Sequence, residues 1–214
     1  MFLFSICIAM SFAAICQVNE LYIKDIELHR LRYKNDFLKD ENSPLSKKDT
    51  QYLRFFDPDI RFKVKAEFTK EDNAVPFDMA TYSGKTKSFI KYGRLEFKID
   101  NVSMSLFVYK NIKLAESKEY ADYLFIPFKD LTCGSESYGG GRYIDIKTWD
   151  VTKENTLMLD FNKCYNPYCA YSSGYNCPIP PKENWLDFKI TAGEKQFARH
   201  IKQNGTIYFY RSNG

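Results

Sequence analysis

Ile60-Arg61-Phe62-Lys63-Val64-Lys65-Ala66-Glu67-Phe68 alternates apolar and charged side chains at every step from Arg61 to Phe68. Successive side chains on an extended backbone point to opposite faces, so this pattern describes a strand with one dry and one wet face. It marks the start of a β region. Downstream, strands are expected at Phe77–Tyr82, Ser88–Tyr92, Arg94–Ile99 and Ser103–Tyr109, with turns at Tyr92-Gly93 and Asp100-Asn101. Later strands are expected at Leu124–Pro127, Tyr143–Trp149, Thr156–Phe161, Leu186–Thr191 and Thr206–Tyr210. Short strands at near-regular spacing predict a mainly β (α+β) fold, an antiparallel barrel or sandwich. A 17% aromatic content agrees, because Tyr and Phe favour half-buried pleated surfaces.

Upstream the period changes. Val18, Tyr22, Ile26, His29, Tyr33 and Phe37 step by 4, 4, 3, 4 and 4, which places them on one face of an amphipathic helix packed on the sheet. His29 sits inside that stripe and reads as structural. Asn42-Ser43-Pro44 ends the helix, and Ser46 with Asp49 is spaced to cap a short second helix over Lys47–Leu53. The first residues, MFLFSICIAMSFAAIC, carry no charge and are too short to span hydrocarbon ~30 Å thick. They read as a signal peptide over 1–16, which implies export, with lipidation at Cys16 the lesser alternative. No transmembrane span is expected. Residues 17–214 read as one β-rich domain, since 214 residues suit a single core.

Net charge is +4, with Lys and Arg spread along the chain rather than gathered in a stripe, which speaks against nucleic acid. Two polar segments stand out. Leu131–Arg142, LTCGSESYGGGR, puts four glycines and several hydroxyls between strands; a phosphate cradle would need a helix to follow, and a strand follows. Leu159–Tyr171, LDFNKCYNPYCAY, and the Pro-rich stretch from Cys177 form a dense, stiff loop region. The cysteines Cys133, Cys164, Cys169 and Cys177 have no CxxC spacing, which argues against zinc, and no metal or other cofactor is expected. Cys169 and Cys177 are the best candidate pair. In an exported protein a disulfide there would stabilise by roughly 2–3 kcal/mol. In a reducing compartment both would be thiols.

The run SESYGGGRYIDI (Ser135–Ile146), followed by LDFN, NPYCAY, CPIPP, EN and AGEK, resembles the bacterial and archaeal family of domain of unknown function 1684. The resemblance also takes in Ser43-Pro44-Leu45, FFDPDIR (Phe55–Arg61) and LFIPFKD (Leu124–Asp130), and covers about residues 20–195, leaving a tail at 196–214. Residue by residue it implies importance at Glu136, Tyr138, Gly141, Arg142, Tyr143, Asp145, Asp160, Asn162, Asn166, Pro167, Cys169, Cys177, Pro178, Pro181, Glu183, Asn184 and Glu194. Cys133 and Cys164 fall outside the pattern. About activity the resemblance implies almost nothing.

Three readings follow. The first is an exported binding module for a small polar or anionic molecule, or a cell-envelope component. Its site would be a loop cluster of Glu136, Tyr138, Arg142, Asp160, Asn162, Asn166, Glu183 and Asn184, with Arg142 holding the anion by bidentate bonds. In the alternative within that picture, Arg142 pairs with Asp160 or Glu183 and only ties loops together. The second is a hydrolase-type enzyme using two of Glu136, Asp160 and Glu183 as acid and base. The third is a purely structural or interaction domain.

Overall fold

The computed structural model describes the backbone of residues 2–198 and of Ile201–Gln203 and Thr206–Tyr208, and the side chains from Gln17 to Ala198. Helix α1 spans Phe2–Lys39. The side chains of the apolar run at 1–16, the expected export signal, lie outside the described residues. Along α1, Tyr22, Ile26 and Phe37 are buried and His29 and Tyr33 half-buried, as the stripe predicts. Val18 is the exception, on the same face but 62% exposed, while Leu21, Leu28, Leu31 and Leu38 are exposed on the other side. The helix ends where Asp40 Oδ1 accepts the Asn42 N–H at 2.8 Å and Pro44 lacks the N–H to continue. Ser46 and Asp49 meet as their spacing predicts: the Ser46 N–H and hydroxyl both donate to Asp49 Oδ2, at 3.0 and 2.8 Å, opening a single 3-10 turn at Thr50–Tyr52. Among the described residues no helix is long and apolar enough to cross a membrane.

Seven strands form one antiparallel sheet: β1 (Lys63–Lys70), β2 (Phe77–Ala80), β3 (Thr86–Ile99), β4 (Val102–Asn111), β5 (Tyr123–Phe128), β6 (Arg142–Lys147) and β7 (Thr156–Asp160). Their order is β6-β5-β4-β3-β1-β7, with β2 pairing β3, so the sheet is a half-barrel with β6 and β7 at its ends. The alternation that opened the sequence holds from Lys63 onward, where Ala66 and Phe68 are buried. Ile60–Phe62 instead forms a 3-10 turn, because the Asp59 carboxylate accepts the Arg61 N–H at 2.9 Å and bends the chain. Asp100 and Asn101, with φ of 49° and 66°, make the tight turn expected between β3 and β4.

Gly93 corrects the expected turn at Tyr92-Gly93. The chain runs straight through it as one 14-residue strand, with a register shift between Lys91 and Gly93. A Cβ here would lie 2.3 Å from the Phe68 ring and 2.7 Å from the Thr69 carbonyl, so glycine is what lets β1 and β3 close up at the bulge. Gly93→Val is therefore expected to lower stability by about 1–3 kcal/mol, read as an earlier urea midpoint. A variant with an unchanged midpoint would show that the strands can move apart freely.

The main core lies on one sheet face, where Leu95, Leu106, Ile126 and Leu159 pack with Phe161, Leu186, Ile190 and Ala192. Leu186–Thr191 was expected as a strand and is irregular instead. It is tied to the sheet by single contacts, Leu186 N–H to the Lys129 carbonyl at 2.8 Å and Leu131 N–H to the Phe188 carbonyl at 3.1 Å. A second, aromatic cluster of Met79, Phe89, Tyr109, Phe125 and Tyr143 carries the opposite side. Thr206–Tyr208 pairs with Ile201–Gln203 rather than with the main sheet; Phe209 and Tyr210 lie outside the described residues.

Candidate functional site

Arg142 begins β6 and is fully buried. Its partner is Asp130, at 2.9 Å, not Asp160 or Glu183. The guanidinium also donates to the carbonyls of Ile190 (2.8 Å), Ala192 and Glu194 (3.3 Å), and lies between the rings of Phe56 and Phe128. An anion from solvent cannot reach it. Arg142 is thus the tie between β6 and the segment 190–194.

The other sequence-predicted residues serve as separate anchors. Asp160 accepts from Tyr22 Oη at 2.9 Å and from the Asn162 N–H at 3.0 Å, while Asn162 clasps both backbone groups of Asp59 at 2.9 and 2.8 Å. Asn184 does the same for Phe107 at 2.7 and 2.9 Å and reaches the Pro127 carbonyl at 2.8 Å. Glu183 pairs with Lys91 at 2.9 Å and accepts from Tyr109 at 3.2 Å. Asn166 donates its side-chain amide to the Lys195 carbonyl at 2.9 Å. Glu136 sits on the surface 3.8 Å from Lys189, and Tyr138 stacks edge-on with Tyr82. None of these eight residues lines the main cavities among the described residues. Cys169 and Cys177 lie side by side as free thiols, with the Cys169 N–H donating to Cys177 Sγ at 3.2 Å, so the expected staple is not formed here. Burial, then the neighbouring Cys169 thiol, pushes the Cys177 pKa up to about 12.

A cavity of 630 Å³ opens elsewhere, between α1, the aromatic side of β3, β5 and β6, and the loop from Lys163 to Pro178. Its walls come from residues that read singly as core. Phe125 packs on Phe89 at 5.8 Å and on Tyr143 at 4.7 Å, Tyr143 meets Tyr165 at 5.9 Å, and Tyr165 meets Tyr33 of α1 at 6.0 Å. Asp145 stands in this wall, two residues along β6 from Tyr143 and opposite Phe125. Tyr123 and Tyr165 each donate a hydroxyl to it at 2.7 Å, one to each oxygen. The carboxylate is exposed to the cavity yet ringed by protein. That crowding raises its pKa, against the opposing effects of the two tyrosines and Lys147. The readable signal was an acid on the same strand face as Tyr143, inside an alternating run.

Behind Tyr33 lies a second carboxylate. Glu194 is fully buried and accepts from Tyr33 Oη (3.0 Å), Tyr171 Oη (2.8 Å) and the Asn166 N–H (2.9 Å). Burial raises its pKa to about 7, although each of those donors pulls it down. Across the cavity His29 has its pKa lowered by burial and by Lys163 and Arg32. Among the described residues no group of His, Cys, Asp and Glu is arranged to hold a metal.

Among solved structures, the chain is similar to the solution NMR structure of an uncharacterized protein of Haloarcula marismortui. The two are 31% identical with a TM-score of 0.64, over 84% of this chain and 96% of that one. Among curated proteins nothing matches. The family model for "Protein of unknown function (DUF1684)" matches residues 48–195, which hold the whole seven-stranded sheet, Asp145, Arg142 and Glu194. On that match the chain belongs to the DUF1684 family.

Proposed function

We propose that the protein is a binding module for a small organic molecule, and that its site is the cavity between α1 and β3–β6 rather than the Arg142 loops. One observation carries this: a 630 Å³ space walled by aromatic rings, with one of its two carboxylates, Asp145, fixed at the wall by two tyrosine hydroxyls. Ligand sites are commonly of this size, largely apolar, with few well-placed polar groups. Acid–base roles for Glu136, Asp160 and Glu183 gain no support, since each is engaged in a different part of the molecule.

A fragment screen by amide NMR on the full chain tests the reading. Hits are expected to move resonances of Tyr33, Asp145 and Tyr165 together, and Leu114→Trp at the rim is expected to weaken them by about tenfold. Shifts scattered over the surface, or none at the cavity, would refute it. The apolar run at 1–16 supports export as a further part of the proposal. Amino-terminal sequencing of protein recovered from outside the cytoplasm is expected to begin near Gln17; a chain still starting at Met1 would count against it.

A further inference from the structure

We propose that the cavity selects organic ammonium ions, alkylated amines whose positive charge rests against Asp145 within the rings of Tyr33, Phe125, Tyr143 and Tyr165. The inference rests on the binding reading above and adds the chemistry of the ligand.

Nine of the lining residues are aromatic. The face of an aromatic ring is electron-rich and attracts a weakly hydrated cation, and several rings together make a cage for alkylated nitrogen. Water-loving ligands need a different lining, one dense in directional donors and acceptors. Asp145 supplies the counter-charge. Its two oxygens each take one tyrosine hydroxyl, which fixes the carboxylate in place and leaves a second lone pair on each oxygen for the cavity. A carboxylate crowded by protein holds its charge at a cost, and a cation entering the cavity relieves that cost.

The surrounding charges agree. Lys147, from the same strand, is the cation that bears on Asp145, and its ammonium lies over the rings of Tyr123 and Trp149 at 5.4 and 5.9 Å rather than bonded to the carboxylate. Lys163 is paired outward with Asp25 at 3.3 Å. His29 is disfavoured as a cation by burial. Lys87 lines the side formed by β3, and α1 places a second acid, Asp36, on the lining. Arg142, the arginine expected to hold an anion, is shut inside the protein.

The test is an NMR titration of the full chain with choline and with 3,3-dimethylbutan-1-ol, which has the same shape without the charge. Choline is expected to move the cavity resonances and to bind at least about tenfold more tightly than its carbon isostere. In Asp145→Asn that preference is expected to collapse towards one. Should the variant fail to fold, the wild type carries the same test through pH. Protonation of Asp145, flanked by Tyr123, Tyr165 and Lys147 and faced by Tyr33, His29, Asp36, Lys163 and Lys87, is expected to weaken choline and leave the isostere alone. If the isostere binds as well as choline, the ammonium assignment is wrong while the cavity reading stands. If neither moves the cavity residues, the ammonium assignment is again wrong, and the fragment screen decides separately whether the cavity binds anything.

Discussion

Arg142→Met is expected to destabilise the protein by about 3–5 kcal/mol, because it leaves Asp130 charged, buried and uncompensated. Both side chains of this pair have no exposed surface. Asp130 Oδ2 is already committed to the Thr132 N–H (3.0 Å), the Thr132 hydroxyl (2.8 Å) and the Ile190 N–H (2.9 Å), so Oδ1 would keep only the weak donor of the Cys133 thiol at 3.6 Å in place of the guanidinium. The carbonyls of Ile190, Ala192 and Glu194 would lose their shared donor at the same time. Urea unfolding should show a lower midpoint with an unchanged slope. Removing both partners, as Arg142→Met with Asp130→Leu, is expected to cost less than the two single changes summed, since a double substitution leaves no lone charge. A loss below about 1 kcal/mol in the single variant would show that solvent reaches the site after all.

Stability is expected to fall as pH rises through 7, and Glu194 is the reason. An ordinary glutamate titrates near 4.5, while the buried Glu194 holds its proton up to about 7. Between these values the native state binds more protons than the unfolded state. The contribution of Glu194 is therefore complete below about pH 4.5 and is lost as pH climbs past 7, a change of about 3 kcal/mol. Asp145 is raised too and acts in the same direction, whereas Asp59 and Glu183 are lowered and act in the opposite one. Glu194→Gln isolates the effect, because glutamine keeps a neutral group facing Tyr33, Tyr171 and Asn166. The difference in melting temperature between variant and wild type should move in favour of the variant from pH 5 to pH 8. A constant difference across that range would dismiss Glu194 as the source.

Local pattern made much of the frame legible. Period two located the strands from Lys63 to Asp160, the stripe from Tyr22 to Phe37 located the inner face of α1, and Asp100-Asn101 announced its own turn. What stayed hidden depends on contacts distant in sequence. Gly93 reads as a turn until the Phe68 ring is seen to cross it. The polar density of Leu131–Arg142 and Leu159–Tyr171 looks like a ligand site, yet Arg142, Asp160, Asn162 and Asn166 within it are buried and bonded to neighbouring segments. Irregular backbone without a ladder must satisfy its N–H and carbonyl groups with side chains, so loops packed into a core grow rich in Asp, Asn and Arg. The cavity is built in the opposite way. Tyr33, Phe125, Tyr143 and Tyr165 each look like ordinary core, and only their shared gap around Asp145 sets them apart.

The helix that roofs this gap ends at Lys39, ahead of the stretch from residue 48 onward that the family model matches. His29, Tyr33, Asp36 and Phe37 therefore reach the cavity from outside the matched stretch, while Asp145 and its two tyrosines lie within it. The same helix is tied to the fold through Tyr22 on Asp160 and Tyr33 on Glu194. A chain with the same half-barrel and a different leading helix would keep Asp145 between its tyrosines but present it to another guest. Under the binding proposal, replacing His29 or Asp36 on the cavity face of α1 is expected to change the guest while Asp145 stays held by Tyr123 and Tyr165.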